Sequence, residues 1–347
     1  MMLRIDRFTF TKTSKPYIIA EVAQAHDGSL GQAFAFIDAV ATTGANAIKF
    51  QTHIASHESS KLDKFRPNTF FPQDKTRYDY WKRMEFTPPQ WLKLKKYANK
   101  QGLSFLSSPF SIQAIDMLNE IQMPAWKIGS GEFFNIPLIE KMLQTKKPLL
   151  ISTGLSSLQE IINLSKFLDK KKANYAFFQC NSEYPCPPER VGINVISELQ
   201  EVLKCPIGFS DHSGEVASSL AAVAMGAKII EVHVSLSEFG FGPDHTSSLN
   251  IESLKLLVEG SQFIHTALSH PVDKNKPSKK ILATKKLFTR SLFSSEDLLP
   301  GTLLKEKHTR LKKPAGGLPS SDLPQLLGKK ITKKIKFDEM LRKEHFE

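Results

Sequence analysis

Eight apolar runs of strand length recur between residues 17 and 235, alternating with stretches of helical periodicity. The runs are YIIAEVA (17–23), AIKFQT (47–52), SFLSSPF (104–110), AWKIGSG (125–131), PLLISTG (148–154), YAFFQCN (175–181), PIGFSDH (206–212) and IIEVHVS (229–235). Candidate helices lie between them at 30–43, 88–101, 111–120, 157–169 and 214–225, and one at 251–267 closes the series. A strand buried on both faces reads as a near-continuous apolar run, and parallel strands joined by helices bury both faces. Eight such units in about 250 residues predict an α/β chain with a (β/α)8 TIM barrel. The rival, a doubly wound sheet, calls for a glycine-rich nucleotide turn that these strands lack.

The rhythm breaks in two places. Residues 53–87 exceed an ordinary βα loop, and loops of that length are commonly lids or partner contacts. After 268 a Pro/Lys/Ser stretch, LSHPVDKNKPSKK, precedes short β-like segments broken by Gly and Pro. The expected organisation is a barrel over 1–268, a linker over 269–284 and a small compact domain over 285–347. Charge follows the same division. Residues 1–273 hold 28 Lys/Arg against 27 Asp/Glu, whereas 274–347 hold 19 against 8. A basic tail attracts nucleic acid, acidic partners or anionic substrates. Without an RNA-type aromatic motif, CxxC spacing or a helix-turn-helix pattern, nucleic acid is not the expected partner. No apolar run approaches the roughly 20 residues of a membrane span. The start, MMLRIDRFTF, has no apolar signal-peptide core, and the three cysteines, Cys180, Cys186 and Cys205, show no disulfide framework. A cytoplasmic location is expected.

Polar residues stand at the C-terminal ends of all eight runs, where a barrel of this type places its active site. They are Glu21; Lys49 and Gln51; Ser107 and Ser108; Lys127, Ser130 and Glu132; Ser152 and Thr153; Asn181 and Ser182; Ser210, Asp211 and His212; Glu231 and His233. Because strand side chains alternate faces, Lys49 goes with Gln51, Ser210 with His212, and Glu231 with His233. A lone strand histidine is ordinarily a hydrogen-bonded core residue, and a lone serine ordinarily caps a helix. Polarity at one end of every strand is a pocket instead, because burying that many charges without a ligand costs several kcal/mol each. Two lysines and several hydroxyls suit a phosphate. Glycines around Ser130 and after Thr153 allow close backbone approach. His212 and His233 could share a divalent ion of the Mn, Zn or Fe type, with Glu21, Glu132 and Glu231 as acid/base groups or outer support. Cys180 lies beside the pocket and reads as core packing.

Several motifs, in one order along nearly the whole chain, carry a resemblance. YIIAEVAQAHDGSL, AIKFQTH, PAWKIGSGE, ISTG, GFSDHS, EVHVS and GPDHTSSL resemble the sialic acid synthases, N-acetylneuraminate synthase and its legionaminate and pseudaminate relatives. The tail resembles the antifreeze-like (SAF) domain of those enzymes. The resemblance implies condensation of phosphoenolpyruvate with an acetamido-mannose sugar to a nine-carbon 2-keto acid, with phosphate released by C–O cleavage. It implies His212 and His233 as ligands of Mn2+, or of Mg2+. Lys49, Lys127, Ser130, Ser152 and Ser210 are implied as phosphoenolpyruvate contacts, and Ser108 and Ser182 as substrate-binding residues. Glu21 and Glu132 are implied at the reacting carbons, and Gln51, Tyr184 and Asp244 on sugar hydroxyls. A domain-swapped homodimer is implied as well, with the SAF domain capping the partner's barrel.

Three positions depart from the pattern. Ala25-His26 stands where the family has Asn-His. Ser182 aligns with a phosphate-binding asparagine, Asn181 being one place early. Lys313, in KKPAGG, replaces an arginine that reaches the sugar's N-acetyl group, and lysine lacks that planar fork. The competing readings are another phosphoenolpyruvate-dependent aldol synthase, a non-catalytic carbohydrate- or ice-binding protein, and a nucleic-acid binder acting through the tail. GPDH and the SAF-like tail argue against the first, and the intact polar ring argues against the second.

Overall fold

The computed structural model describes residues 3–11, 13–65 and 73–347. They form two compact units, Met1–His270 and Pro271–Glu347. In the first, eight parallel strands form a ring: β1 (Tyr17–Ala23), β2 (Ala47–Thr52), β3 (Ser104–Pro109), β4 (Trp126–Ile128), β5 (Leu149–Ser152), β6 (Tyr175–Cys180), β7 (Ile207–Asp211) and β8 (Ile229–Val234). The hydrogen-bonded order is β3-β2-β1-β8-β7-β6-β5-β4, and β3 lies against β4 to close the ring. Helices follow every strand: α1 (Leu30–Ala41), α2 (Pro88–Lys100), α3 (Ile112–Glu120), α4 (Ile136–Gln144), α5 (Leu158–Lys170), α6 (Asn194–Val202), α7 (Val216–Ala224) and α8 (Ile251–Ser269). Helices α4 and α6 complete an alternation that periodicity alone leaves implicit.

The apolar runs are buried on both faces, as their composition requires. Phe50, Phe105, Phe177, Phe178 and Phe209 are at most 1% exposed and pack with Trp91 and Trp126 in one continuous core. Strand β4 stops at Ile128, short of the expected 131. Side-chain-free Gly129 and Gly131 have nothing to pack, and Ser130–Glu132 turn into a single 3-10 turn closed by Glu132 N–H on Gly129 carbonyl at 2.9 Å. At the end of β1 the register with β2 shifts between Glu21 and Ala23. Ala23 takes φ 49°, a left-handed conformation unfavourable for alanine by about 1–2 kcal/mol.

Register sets the tiers of the ring. Glu21 stands opposite Lys49 on one side and His233 on the other. One step below, Cys180 pairs with Ser210, and Ser210 with Glu231. The long 53–87 stretch contains two helices, Ala55–Glu58 and Arg77–Met84; its residues 66–72 lie outside the described residues.

The second unit has its own core of Leu292, Leu298, Leu304, Leu318, Leu326, Ile331, Ile335 and Leu341. Strands Ser291–Ser294 and Thr309–Lys312 pair antiparallel. The stretch read as a linker, 269–284, carries the first turns of a helix, Lys279–Phe288, because Ser278 caps it by accepting from Ile281 N–H. Among the described residues, no helix is long and apolar enough to cross a membrane.

Candidate active site

A cavity of about 670 Å³ opens at the C-terminal ends of the strands. Its floor is a buried charged cluster. The Glu21 carboxylate lies 2.5 Å from Lys49 Nζ, and Glu231 Oε1 lies 3.7 Å from Lys49 Nζ and 3.5 Å from Lys127 Nζ. All four side chains are at most 5% exposed. Lys49 also donates to Ser108 Oγ at 3.1 Å, Lys127 to Ser152 Oγ at 2.6 Å, and Ser210 Oγ to Glu231 at 3.1 Å. Burial works against the charge on Lys49, but Glu21 and then Glu231 outweigh it and raise its pKa above the ordinary lysine value. Lys127 shares a single carboxylate, so burial prevails and lowers its pKa. Burial pushes Glu231 upward, yet Lys127 and Lys49 together hold its carboxyl below the usual range.

Beside this floor the ends of β4, β5 and β6 form a hydroxyl-lined cradle. Ser130, Ser152 and Ser182 line it, and Gly154 N–H donates to Ser130 Oγ at 3.0 Å. A Cβ on Gly154 would stand 2.6 Å from Ser182 Oγ, 2.9 Å from Ser130 Oγ and 3.1 Å from Cys180 Sγ, so only glycine keeps the cradle open. Glu132, held by Asn135 Nδ2 at 2.7 Å, borders the same side. Burial pushes the Cys180 thiol up to about 11, which keeps it protonated and makes it wall rather than nucleophile.

His212 and His233 stand on neighbouring strands with ring centroids 5.3 Å apart, a spacing that one ion with bonds of about 2.1 Å to each imidazole can bridge. His212 Nδ1–H donates to the Asn181 carbonyl at 2.6 Å, which leaves Nε2 to accept from the Tyr184 hydroxyl at 3.0 Å. Such a carbonyl contact fixes tautomer and orientation, as in metal-bound imidazoles. Burial, with the neighbouring His233 ring, lowers the His212 pKa to about 3 and keeps it neutral. His233 Nδ1 is buried without a hydrogen-bond partner, 3.7 Å from the Asp244 carboxylate. Two neighbouring imidazoles, one with a buried ring nitrogen that has no hydrogen-bond partner, fit a divalent ion. Among the described residues no group of three or more His, Cys, Asp or Glu is placed to hold a metal, so protein would supply two donors, with substrate and water supplying the rest.

The outer wall comes from the 53–87 stretch. His53 is sandwiched between Trp81, at 3.8 Å between centroids, and Phe110, at 4.4 Å, with both rings nearly parallel to it. Glu58 contacts its Nδ1, and Gln51 Oε1 lies 3.3 Å from its Nε2. Gln51 Nε2 then donates to Glu21 at 3.1 Å, which ties the wall to the floor.

Of the residues given a catalytic, metal or substrate role from sequence, all but one line this cavity: Glu21, Glu132, His212 and His233 with Lys49, Gln51, Ser108, Lys127, Ser130, Ser152, Ser182, Tyr184, Ser210 and Asp244. Lys313 belongs to the second unit, where its Nζ sits 5.0 Å from the Phe288 ring centre. Other strand-end polar residues turn away from the cavity. Ser107 bonds Thr52 Oγ1 at 2.7 Å and the Phe50 carbonyl, Thr153 donates to the Phe178 carbonyl, and Asn181 Nδ2 donates to the Arg190 carbonyl. Asp211 accepts from Ser213 N–H, Ser218 and Ser219, fastening α7. Where the pattern has a phosphate-binding asparagine, Ser182 lines the cavity and the Asn181 side chain does not. Sequence reading missed Gln24, His53, Glu58, Trp81 and Phe110, all of which line it. The signal for four of them was the long insertion and the run beside it; Gln24 gave none.

Residues 36–273 match the family model described as NeuB family, and residues 289–347 match that of the SAF domain. The N,N'-diacetyllegionaminic acid synthase of Campylobacter jejuni is 33% identical over 333 residues, covering 94% of this chain and 99% of the relative. The N-acetylneuraminate-9-phosphate synthase of Homo sapiens is 32% identical, covering 94% of this chain and 92% of its own. The solved structure of an N-acetylneuraminic acid synthetase from Leptospira borgpetersenii superposes with TM-score 0.71 at 29% identity, covering 82% of this chain and 95% of that one.

Proposed function

The chain belongs to the NeuB family, and on that premise we propose that it is a nonulosonate synthase, condensing phosphoenolpyruvate with N-acetylmannosamine or a related acetamido-mannose sugar. The observation that supports this most is the convergence, in one cavity, of two buried lysines, a glycine-floored hydroxyl cradle and a pair of neighbouring imidazoles.

Phosphoenolpyruvate carries only acceptor oxygens around its reacting carbons, and the hydroxyls of Ser130, Ser152 and Ser182 with Lys127 are the donors for its phosphate. Lys49, Ser108 and Ser210 hold the remaining charge over the floor. On this reading the open-chain sugar binds toward Gln51, Tyr184 and Asp244, with its aldehyde carbon directed to C3 of phosphoenolpyruvate. A divalent ion, Mn2+ or Mg2+, held by His212 and His233 would supply Lewis-acid polarisation of the aldehyde oxygen. C3 attacks the aldehyde carbon as its C=O π bond opens, and water adds at C2 with one of its protons passed on to the former aldehyde oxygen. The tetrahedral intermediate expels phosphate with cleavage of the C–O bond, the remaining C2 hydroxyl proton leaving with the phosphate. Glu21, fixed by Lys49 and Gln51, and Glu132, fixed by Asn135, are the carboxylates that stabilise positive charge developing at C2 and accept the proton of the incoming water. Our proposal includes a homodimer in which the second unit brings Lys313 to a partner's site, and a cytoplasmic location. Sedimentation velocity of the full chain tests the dimer, and a monomer at micromolar concentration would refute it.

The assay of choice is phosphate release from phosphoenolpyruvate with Mn2+, using N-acetylmannosamine and 2,4-diacetamido-2,4,6-trideoxymannose in turn. Sugar-dependent release with one of them is the expected result, and no release with either refutes the proposal. The cradle makes a separate prediction. Gly154→Ala should raise the KM for phosphoenolpyruvate at least ~10-fold, a loss of about 1.4 kcal/mol, and leave the KM for the sugar unchanged. An unaltered KM for phosphoenolpyruvate would remove the cradle from phosphate binding.

A further inference from the structure

Gln24 follows the bulge at the end of β1. The residue borders the cavity and is 3% exposed, and neither its buried amide oxygen nor its buried amide nitrogen has a hydrogen-bond partner. A buried polar group left unpaired costs free energy, and native proteins keep few of them. The other carboxamides lining the cavity are engaged within the protein. Gln51 spans His53 and Glu21, and Asn135 holds Glu132 while capping α4. Among the described residues, Gln24 alone of these carboxamides has a donor and an acceptor side by side without partners.

The chemistry of that pair selects its ligand. Phosphate and carboxylate groups of an ionised substrate only accept hydrogen bonds, and so would leave the Gln24 oxygen unpaired. A polyol chain bearing an acetamido group offers O–H and N–H donors next to oxygen acceptors, and satisfies both ends at once. Position agrees with this. In the ring β1 neighbours β2 and β8, whereas Ser130, Gly154 and Ser182 follow β4, β5 and β6 across the mouth. We propose that Gln24 is a specificity-determining residue for the sugar, its amide donating to one substituent oxygen and accepting from the O–H or N–H on a neighbouring carbon. The inference rests on the reading of the cavity as an acetamido-sugar site and adds the residue that reads the sugar's substituents.

Recognition and stability then separate at this position. Gln24→Leu and Gln24→Met remove two unpaired polar atoms and keep the shape of the side chain, so the ligand-free variants should melt no lower than the wild type. Their affinity for N-acetylmannosamine, measured by titration calorimetry on the full chain, should fall about 10- to 100-fold, the loss expected when a hydrogen-bonding partner is removed. The KM for the sugar should rise in parallel while that for phosphoenolpyruvate holds. Sugar affinity equal to wild type in both variants overturns the inference, as does a wild type that binds neither N-acetylmannosamine nor 2,4-diacetamido-2,4,6-trideoxymannose. A fall in melting temperature of several degrees in both variants also overturns it, since the amide would then be partnered inside the protein. The two readings fail separately. Weakened sugar binding in a protein that never releases phosphate would sink the condensation and leave Gln24 in place, whereas normal sugar kinetics in Gln24→Leu would do the reverse.

Discussion

Glu231→Gln is expected to lower the unfolding free energy of the ligand-free protein by about 3–5 kcal/mol, the usual cost of leaving a buried ion without its partner. Glu231 is the only carboxylate within ion-pairing distance of Lys127 among the described residues, and it also supports Lys49. Glutamine keeps the shape and the contact with Ser210 but leaves two buried ammonium groups facing a single carboxylate, Glu21. An anionic ligand supplies the missing charge, so phosphoenolpyruvate should stabilise the variant more than the wild type. The pH dependence has a definite sign. The folded-state pKa of Glu231 is depressed below 4.5, so its contribution is fully present above that value and is lost as pH falls through the folded pKa. The gap between wild type and variant should therefore close on acidification below the ordinary carboxylate range. Denaturant unfolding with and without phosphoenolpyruvate reads all three effects. A difference below about 1 kcal/mol at neutral pH would mean that the cluster is solvated and the pairing adds little.

His212→Ala and His233→Ala should each reduce kcat by at least about a thousandfold, roughly 4 kcal/mol of transition-state stabilisation. The fold should tolerate both. His233 Nδ1 has no hydrogen-bond partner to lose, and His212 gives up its contacts with the Asn181 carbonyl, Tyr184, Cys180 Sγ and the His233 ring. Melting temperatures within a few degrees of wild type would separate lost chemistry from lost structure. Electron paramagnetic resonance of added Mn2+ gives a readout independent of turnover: the wild type should deplete the signal of the free ion, and neither variant should. Turnover within tenfold of wild type in either variant would exclude the imidazole pair from the reaction.

Much of this site was legible from strand alternation. Lys49 with Gln51, Ser210 with His212 and Glu231 with His233 all reach the cavity in pairs two residues apart, and the eight apolar runs are the eight strands. The same alternation explains why Ser107 and Asp211 do not: each sits one residue from an inward neighbour and is spent on the helix side of the ring. Alternation fails at Gln24. Counting from Glu21 would turn it outward, but the bulge between Glu21 and Ala23 resets the phase, and no residue-type pattern announces a bulge on alanine. Nor could periodicity reveal His53 between Trp81 and Phe110, because that stack joins segments separated in sequence and is set by tertiary packing. Lys313 was placed by resemblance alone, and its cation rests on Phe288 within its own unit.

The most direct test of the account uses phosphoenolpyruvate labelled with 18O in the oxygen that bridges C2 and phosphorus. Incubated with the full chain, Mn2+ and an acetamido-mannose sugar, it should yield inorganic phosphate that carries the label, released only when sugar is present. Label retained in the organic product, or phosphate released at the same rate without sugar, would contradict it.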